Sequence, residues 1–227
     1  MSSYCIPRKK VLPKCVPVKG SRGGLFIGAP GFSGSTGATG ATGPAGLNGI
    51  GFNQPFSSGA ELLEFSSEFG EDEGNVGLVG PDGSVSNVSM PAGLRSSVDT
   101  TSVGISLVSH FPQLARDCTL TDLAAFFNIT SSIELPETTA QISAEIWTSP
   151  GPNPTNMFTP TGAIVNLSPS LTGTVNVNTP VSGVSSGLNF PMTAGTRYVL
   201  VFSISVTGGT DTLVIVTGVA SGGAYFV

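Results

Sequence analysis

The sequence predicts an all-β chain: a jelly-roll sandwich head carried on a collagen-like stalk. Two patterns predict it. Glycine stands at Gly28, Gly31, Gly34, Gly37, Gly40, Gly43, Gly46 and Gly49, every third position without a miss. From residue 75 onward, short β-branched and aromatic runs alternate with turn residues, and no convincing helical period interrupts them.

The glycine period is the more specific signal. Three polyproline-II-like chains can wind about one axis only if every third residue is small enough to sit at the crowded centre. A single chain gains nothing from that phase, so the repeat predicts a homotrimer. The tract 28–51 then forms a stalk of at most about 75 Å, at roughly 3.1 Å per residue. Only Pro30 and Pro44 pre-set its backbone, so it depends on a trimeric head to hold its chains together. Thr36, Thr39 and Thr42 occupy third positions of their triplets and face outward, as O-glycosylation sites or as plain polar spacers. A flexible Gly/Ser/Thr linker is the alternative, but such a linker has no need of phase.

Residues 1–27 read as an extended arm. Pro7, Pro13 and Pro17 break helix, and apolar residues are interspersed with basic ones. Arg8, Lys9, Lys10 and Lys14, with the apolar triplet Leu25, Phe26 and Ile27, are the candidate docking or anchoring residues. Cys5 and Cys15 are candidates for disulfides between subunits, with free thiols the alternative. The start of the chain lacks an apolar stretch before its charges, which predicts synthesis without an export signal. No 18-residue apolar run predicts a membrane span.

The net charge of −5 hides an asymmetry. Residues 1–60 hold six basic residues and no acid, whereas residues 61–227 hold all 14 acids against three arginines, a net of −11. Such a division allows the arm of one molecule to be steered onto the head of another, the alternative being a solvated, flexible tail. It argues against nucleic acid, because the arm lacks interleaved aromatics and the head repels phosphate.

Residues 52–74 read as an acidic transition segment, with 60–70 open to either a strand or one helical turn. The head is assigned to 75–227. Its candidate strands are 76–79, 84–90, 103–109, 119–129, 139–148, 162–167, 171–177, 187–190, 197–207, 211–219 and 223–227. Alternation is clearest at Ile142, Ala144 and Ile146 and around Val199 to Val206. The apolar C-terminus, Ala-Tyr-Phe-Val, predicts an internal or axis-facing strand. Trp147 reads as a half-buried strand residue and, less simply, as the wall of a sugar groove. Cys118 reads as a small core residue.

Little here signals catalysis. The single histidine, His110, has Ser109 beside it and Asp117 and Cys118 downstream, but no nucleophile-elbow motif is present. No set of ligands has metal spacing. The sequence thus predicts a non-enzymatic protein without metal or cofactor.

Residues 187–208 (GLNFPMTAGTRYVLVFSISVTG) resemble the C-terminal domain of the Bacillus collagen-like exosporium glycoproteins. Residues 119–127 (TLTDLAAFF), 158–160 (FTP) and 171–173 (LTG) match the same domain in the same order. The resemblance covers about residues 75–227. It implies a homotrimeric head like the tumour-necrosis-factor and complement-C1q jelly roll, anchored through its N-terminus to an outer spore layer. The family's short proline-rich leader is missing, and residues 6–17 (IPRKKVLPKCVP) stand in its place. With the short stalk, this departure suggests a subunit whose arm docks into the next trimer, giving a head-to-tail fibre such as a spore appendage. The alternative is a phage tail-fibre tip or spore adhesin whose head binds a receptor or sugar.

Overall fold

The computed structural model describes residues 51–68, 74–90, 97–101, 110–209 and 213–227. These residues form strands and connecting turns, with no helix among them. The strands are β1 (Phe52–Ser57), β2 (Leu63–Ser67), β3 (Asn75–Val79), β4 (Ser84–Ser89), β5 (Val98–Asp99), β6 (Cys118–Ile129), β7 (Ile133–Ser149), β8 (Met157–Asn166), β9 (Leu171–Val175), β10 (Pro180–Met192), β11 (Arg197–Thr207) and β12 (Val214–Phe226). The order is β10-β6-β12-β2-β3-β11-β7-β8-β5, with β1 also on β12, β4 on β3 and β9 on β7. The pairings between named strands are all antiparallel.

This path folds back on itself. Its two halves join between β2 and β3 through the single pairing Ser66↔Asn75. One half holds β1, β2, β12, β6 and β10. The other holds β3, β4, β5, β7, β8, β9 and β11. The main core lies between them, where Leu123 and Phe127 of β6 and Val216 and Ala224 of β12 share a cluster with Ile142 and Ile146 of β7 and Leu200 and Phe202 of β11. From β6 onward the chain crosses repeatedly between halves: β6 in the first, β7 to β9 in the second, β10 back in the first, β11 in the second, β12 in the first. This is the jelly-roll sandwich predicted from the strand pattern.

The second half is covered on both faces. Val76, Leu78, Phe111, Trp147, Phe158, Val199 and Val201 make a second apolar cluster on its outer side. Trp147 is therefore buried, at 1 % exposure, rather than half-buried. Its indole N–H donates to Glu145 Oε2 (2.9 Å), while the Gly162 N–H donates to Glu145 Oε1 (2.6 Å). A carboxylate can stay buried on this strand because donors converge on it.

Three further differences have physical causes. Residues 52–57 and 63–67, expected in a transition segment, are strands of the first half: β1 pairs with the end of β12 and β2 with its beginning. Their apolar residues Phe56, Leu63 and Phe65 point into the core, and the one acid among them, Glu64, occupies the other parity. The predicted strands 211–219 and 223–227 are one continuous strand, β12, which runs through Gly222 and Gly223. Residues 187–190 are the end of a longer strand whose Ser/Gly-rich beginning carries little apolar signal. The predicted strand 103–109 lies outside the described residues.

Candidate assembly face

The first half of the sandwich turns one side to the core and the other outward. Register fixes what the outward side carries. Across β10, β6, β12 and β1, one row reads Ser182, Phe126, Ser221, Ser57, and the next reads Val184, Ala124, Gly223, Pro55. The third reads Ser186, Asp122, Tyr225, Asn53. Asp122 is the single charged residue in these rows, and it accepts a hydrogen bond from Thr121 Oγ1 (2.8 Å). Val184 is 71 % exposed, and Phe126 and Tyr225 are exposed beside it. A depression of about 360 Å³ opens between Ala124, Phe126, Val184 and Gly223.

Small residues at 124, 182, 221 and 223 leave the backbone accessible to a second surface. Loss of charge at the centre of a patch is what separates an interface from ordinary surface. Contiguous exposed apolar side chains mark interaction sites in the same way. Sequence reasoning missed these residues. Their signal was the alternation Val219, Ser221, Gly223, Tyr225, legible only once 214–226 is read as one strand.

The start of the described chain sits at the edge of this face. A Cβ on Gly51 would lie 2.5 Å from both Phe226 O and the Tyr225 hydroxyl. Only glycine passes there, so the polypeptide reaches β1 pressed against the base of β12. Phe52 then stacks on Phe226 with ring centroids 4.9 Å apart.

The same end of the sandwich has a second concavity, lined by Phe52, Gln54, Leu114, Arg116 and Tyr198. The Tyr198 hydroxyl donates to Gln54 Oε1 (3.4 Å), and burial pushes its pKa well above the usual phenol range, making it a weaker acid, with the nearby Cys118 charge adding to the shift. Cys118 is half-buried against the core rather than a full member of it, and burial raises its thiol, Arg116 opposing and Asp117 adding. Arg197 at the start of β11 lies over the rings of Phe158 (5.5 Å) and Phe111 (6.0 Å), and its burial lowers the guanidinium from its ordinary value.

The candidates for chemistry are separated. His110 Nδ1 lies 3.9 Å from Asp82 Oδ1, with both side chains exposed, while Asp117 Oδ1 accepts the Ala194 N–H (2.7 Å) and so fixes a turn. Among the described residues no three His, Cys, Asp or Glu side chains converge to hold a metal. The burial of Trp147 removes it from any sugar groove. The stalk glycines Gly28 to Gly49, the arm residues Arg8, Lys9, Lys10, Lys14, Leu25, Phe26 and Ile27, Cys5 and Cys15, and Thr36, Thr39 and Thr42 lie outside the described residues.

No protein-family model matches the chain, and no curated protein matches it. Among solved structures, a chain of Desmodium yellow mottle tymovirus is similar over 91 % of this chain and 95 % of its own, at 13 % identity and a TM-score of 0.29. A likeness that distant carries no argument about function.

Proposed function

We propose that this chain is a structural subunit of a bacterial spore surface, in an exosporium filament or an endospore appendage. It is a trimeric head on a short collagen-like stalk, coupled through its N-terminal arm to an outer-layer protein or to the next trimer. One observation carries the trimer. The unbroken glycine triplets run into Gly51, and Gly51 rests against Tyr225 on the charge-poor face. A triple helix needs three chains brought to one axis, and the only described exit for the chain lies beside the surface best suited to meet other copies. The spore location rests on the resemblance in residues 119–127, 158–160, 171–173 and 187–208.

The mechanism is mechanical. Burying the exposed parts of Phe126, Val184 and Tyr225 contributes on the order of 1 kcal/mol each, most for Val184, which is 71 % exposed. That contact holds three stalk strands at high local concentration, and the stalk converts it into reach.

Sedimentation tests this reading. The wild type sediments at about three times 22.9 kDa, with a triple-helical circular-dichroism signal. Ala124→Arg, which places a long cation in the middle of the face, sediments as a single chain with its β-sheet signal intact. Antibody to the head labels the surface of intact spores. A wild-type particle of 22.9 kDa, or a trimer indifferent to Ala124→Arg, overturns the proposed face.

A further inference from the structure

We infer that the outward face of the β2–β12 ribbon seats the basic arm of the next trimer, an inference that rests on the head-to-tail reading above. β6 pairs with β12 only from Gly218 onward, whereas β2 pairs with it from Val214 to Gly218. The ribbon therefore runs past β6 and beyond the rows of the assembly face. Its outward side bears Leu62, Leu213 and Ile215, which are 52 %, 51 % and 46 % exposed. Among the described residues these are exposed apolar side chains, a strip on one side of the ribbon.

Beside the strip stand Glu64 and Glu68. Glu64 is fixed: Asn87 Nδ2 donates to its Oε1 (2.5 Å) and Thr217 Oγ1 to its Oε2 (3.2 Å). The cations among the described residues, Arg116 and Arg197, belong to elements at the other end of the sandwich. An apolar strip flanked by acids fits a segment that mixes apolar and basic residues. Residues 6–19 (IPRKKVLPKCVPVK) are such a segment. Their prolines bar a long strand pairing and favour an extended polyproline-like course, with Val and Leu on the strip and the ammonium groups toward Glu64 and Glu68.

The donor is another copy because of where the described residues enter the head. Gly51 meets β12 at Phe226, and the ribbon lies at Val214, at the far end of a 13-residue strand. That is roughly 40 Å at about 3.3 Å per residue. In the head-to-tail reading the preceding stalk leads away from the Phe226 end, and its arm reaches the Val214 end of the next head. A contact of this kind does not close on itself and propagates as a fibre.

The test uses full-length protein and a fluorescent synthetic peptide of residues 1–27. The peptide binds the wild type, more weakly as salt rises, and in excess it shortens end-to-end particles in negative-stain micrographs. Glu68→Lys and Leu62→Lys each weaken binding about tenfold or more, while Arg116→Glu at the base leaves it unchanged. Either ribbon variant suffices if the other fails to fold. Failure of the peptide to bind, or binding indifferent to both ribbon variants, overturns the inference. Sedimentation of the same samples separates this from the trimer reading, which stands if the head remains trimeric and falls if it does not.

Discussion

Tyr198 shows how one residue carries both core and base of the head. Its ring packs on Phe226 (centroids 5.3 Å apart) and edge-on to Phe56 (6.2 Å), and its hydroxyl reaches Gln54. Burial raises the folded-state pKa of this phenol above the ordinary value of 10. The folded state thus holds a proton that the unfolded chain releases. Stability from this group is present below pH 10 and is lost as pH rises above it, by at most about 1.4 kcal/mol per pH unit. Tyr198→Phe is expected to flatten the fall in denaturation midpoint between pH 10 and 11. A fall as steep in the variant as in the wild type would refute the assignment. Cys118, also raised, contributes in the same direction from about pH 9 and remains in the variant. Neither this pairing nor that of Trp147 was legible in the sequence. Glu145 and Trp147 share a parity that alternation assigns to solvent. Only the second cluster, assembled from β3, β8 and β11, closes over them.

At the scale of elements, the sequence was most legible where one face is apolar and the other polar. β6 was readable for that reason, and so were the central part of β7 and the end of β11; the beginning of β11, apolar on both faces, was readable as a run of β-branched and aromatic residues. It was least legible where acids or glycines mask the apolar parity. β2 hides Leu63 and Phe65 among Glu61, Glu64 and Glu68. β12 is interrupted by a glycine pair that reads as a turn. The two glycines face opposite ways. A Cβ on Gly222 would come within 2.7 Å of Leu200 Cδ2 and 2.8 Å of Ala124 O, inside the sandwich. A Cβ on Gly223 would meet Asn53 Oδ1 at 3.1 Å, outside it. Gly222→Val is therefore expected to destabilise the head by about 1–3 kcal/mol through overpacking against a backbone carbonyl that cannot move freely. Gly223→Ala should stay within about 1 kcal/mol, because the end of the Asn53 side chain can shift. Urea midpoints of the two variants decide this, and equal losses would mean that the two glycines are not packed differently.

At the scale of the whole molecule, the trimer proposed above predicts that stalk and head differ in how they hold three chains. The head has a core in each copy and adds the assembly face. The stalk has eight triplets and only two prolines, so by itself it gains little order against the entropy of three separate strands. Tethering by the head removes most of that cost. Heating should then give two steps in circular dichroism: loss of the triple-helical band first, at low temperature, and loss of the β-sheet signal later. Gly40→Ala, in the middle of the tract, would put a methyl group on the axis of the proposed triple helix. It should lower or abolish the first step and leave the second unchanged, with the particle still trimeric by sedimentation. The converse dependence is equally specific. Ala124→Arg, which acts on the head alone, should abolish the stalk step as well, because separate chains at micromolar concentration cannot nucleate so short a helix. A stalk band that survives Ala124→Arg would show that the glycine repeat trimerises on its own and that the β10–β6–β12–β1 face is not what gathers the chains.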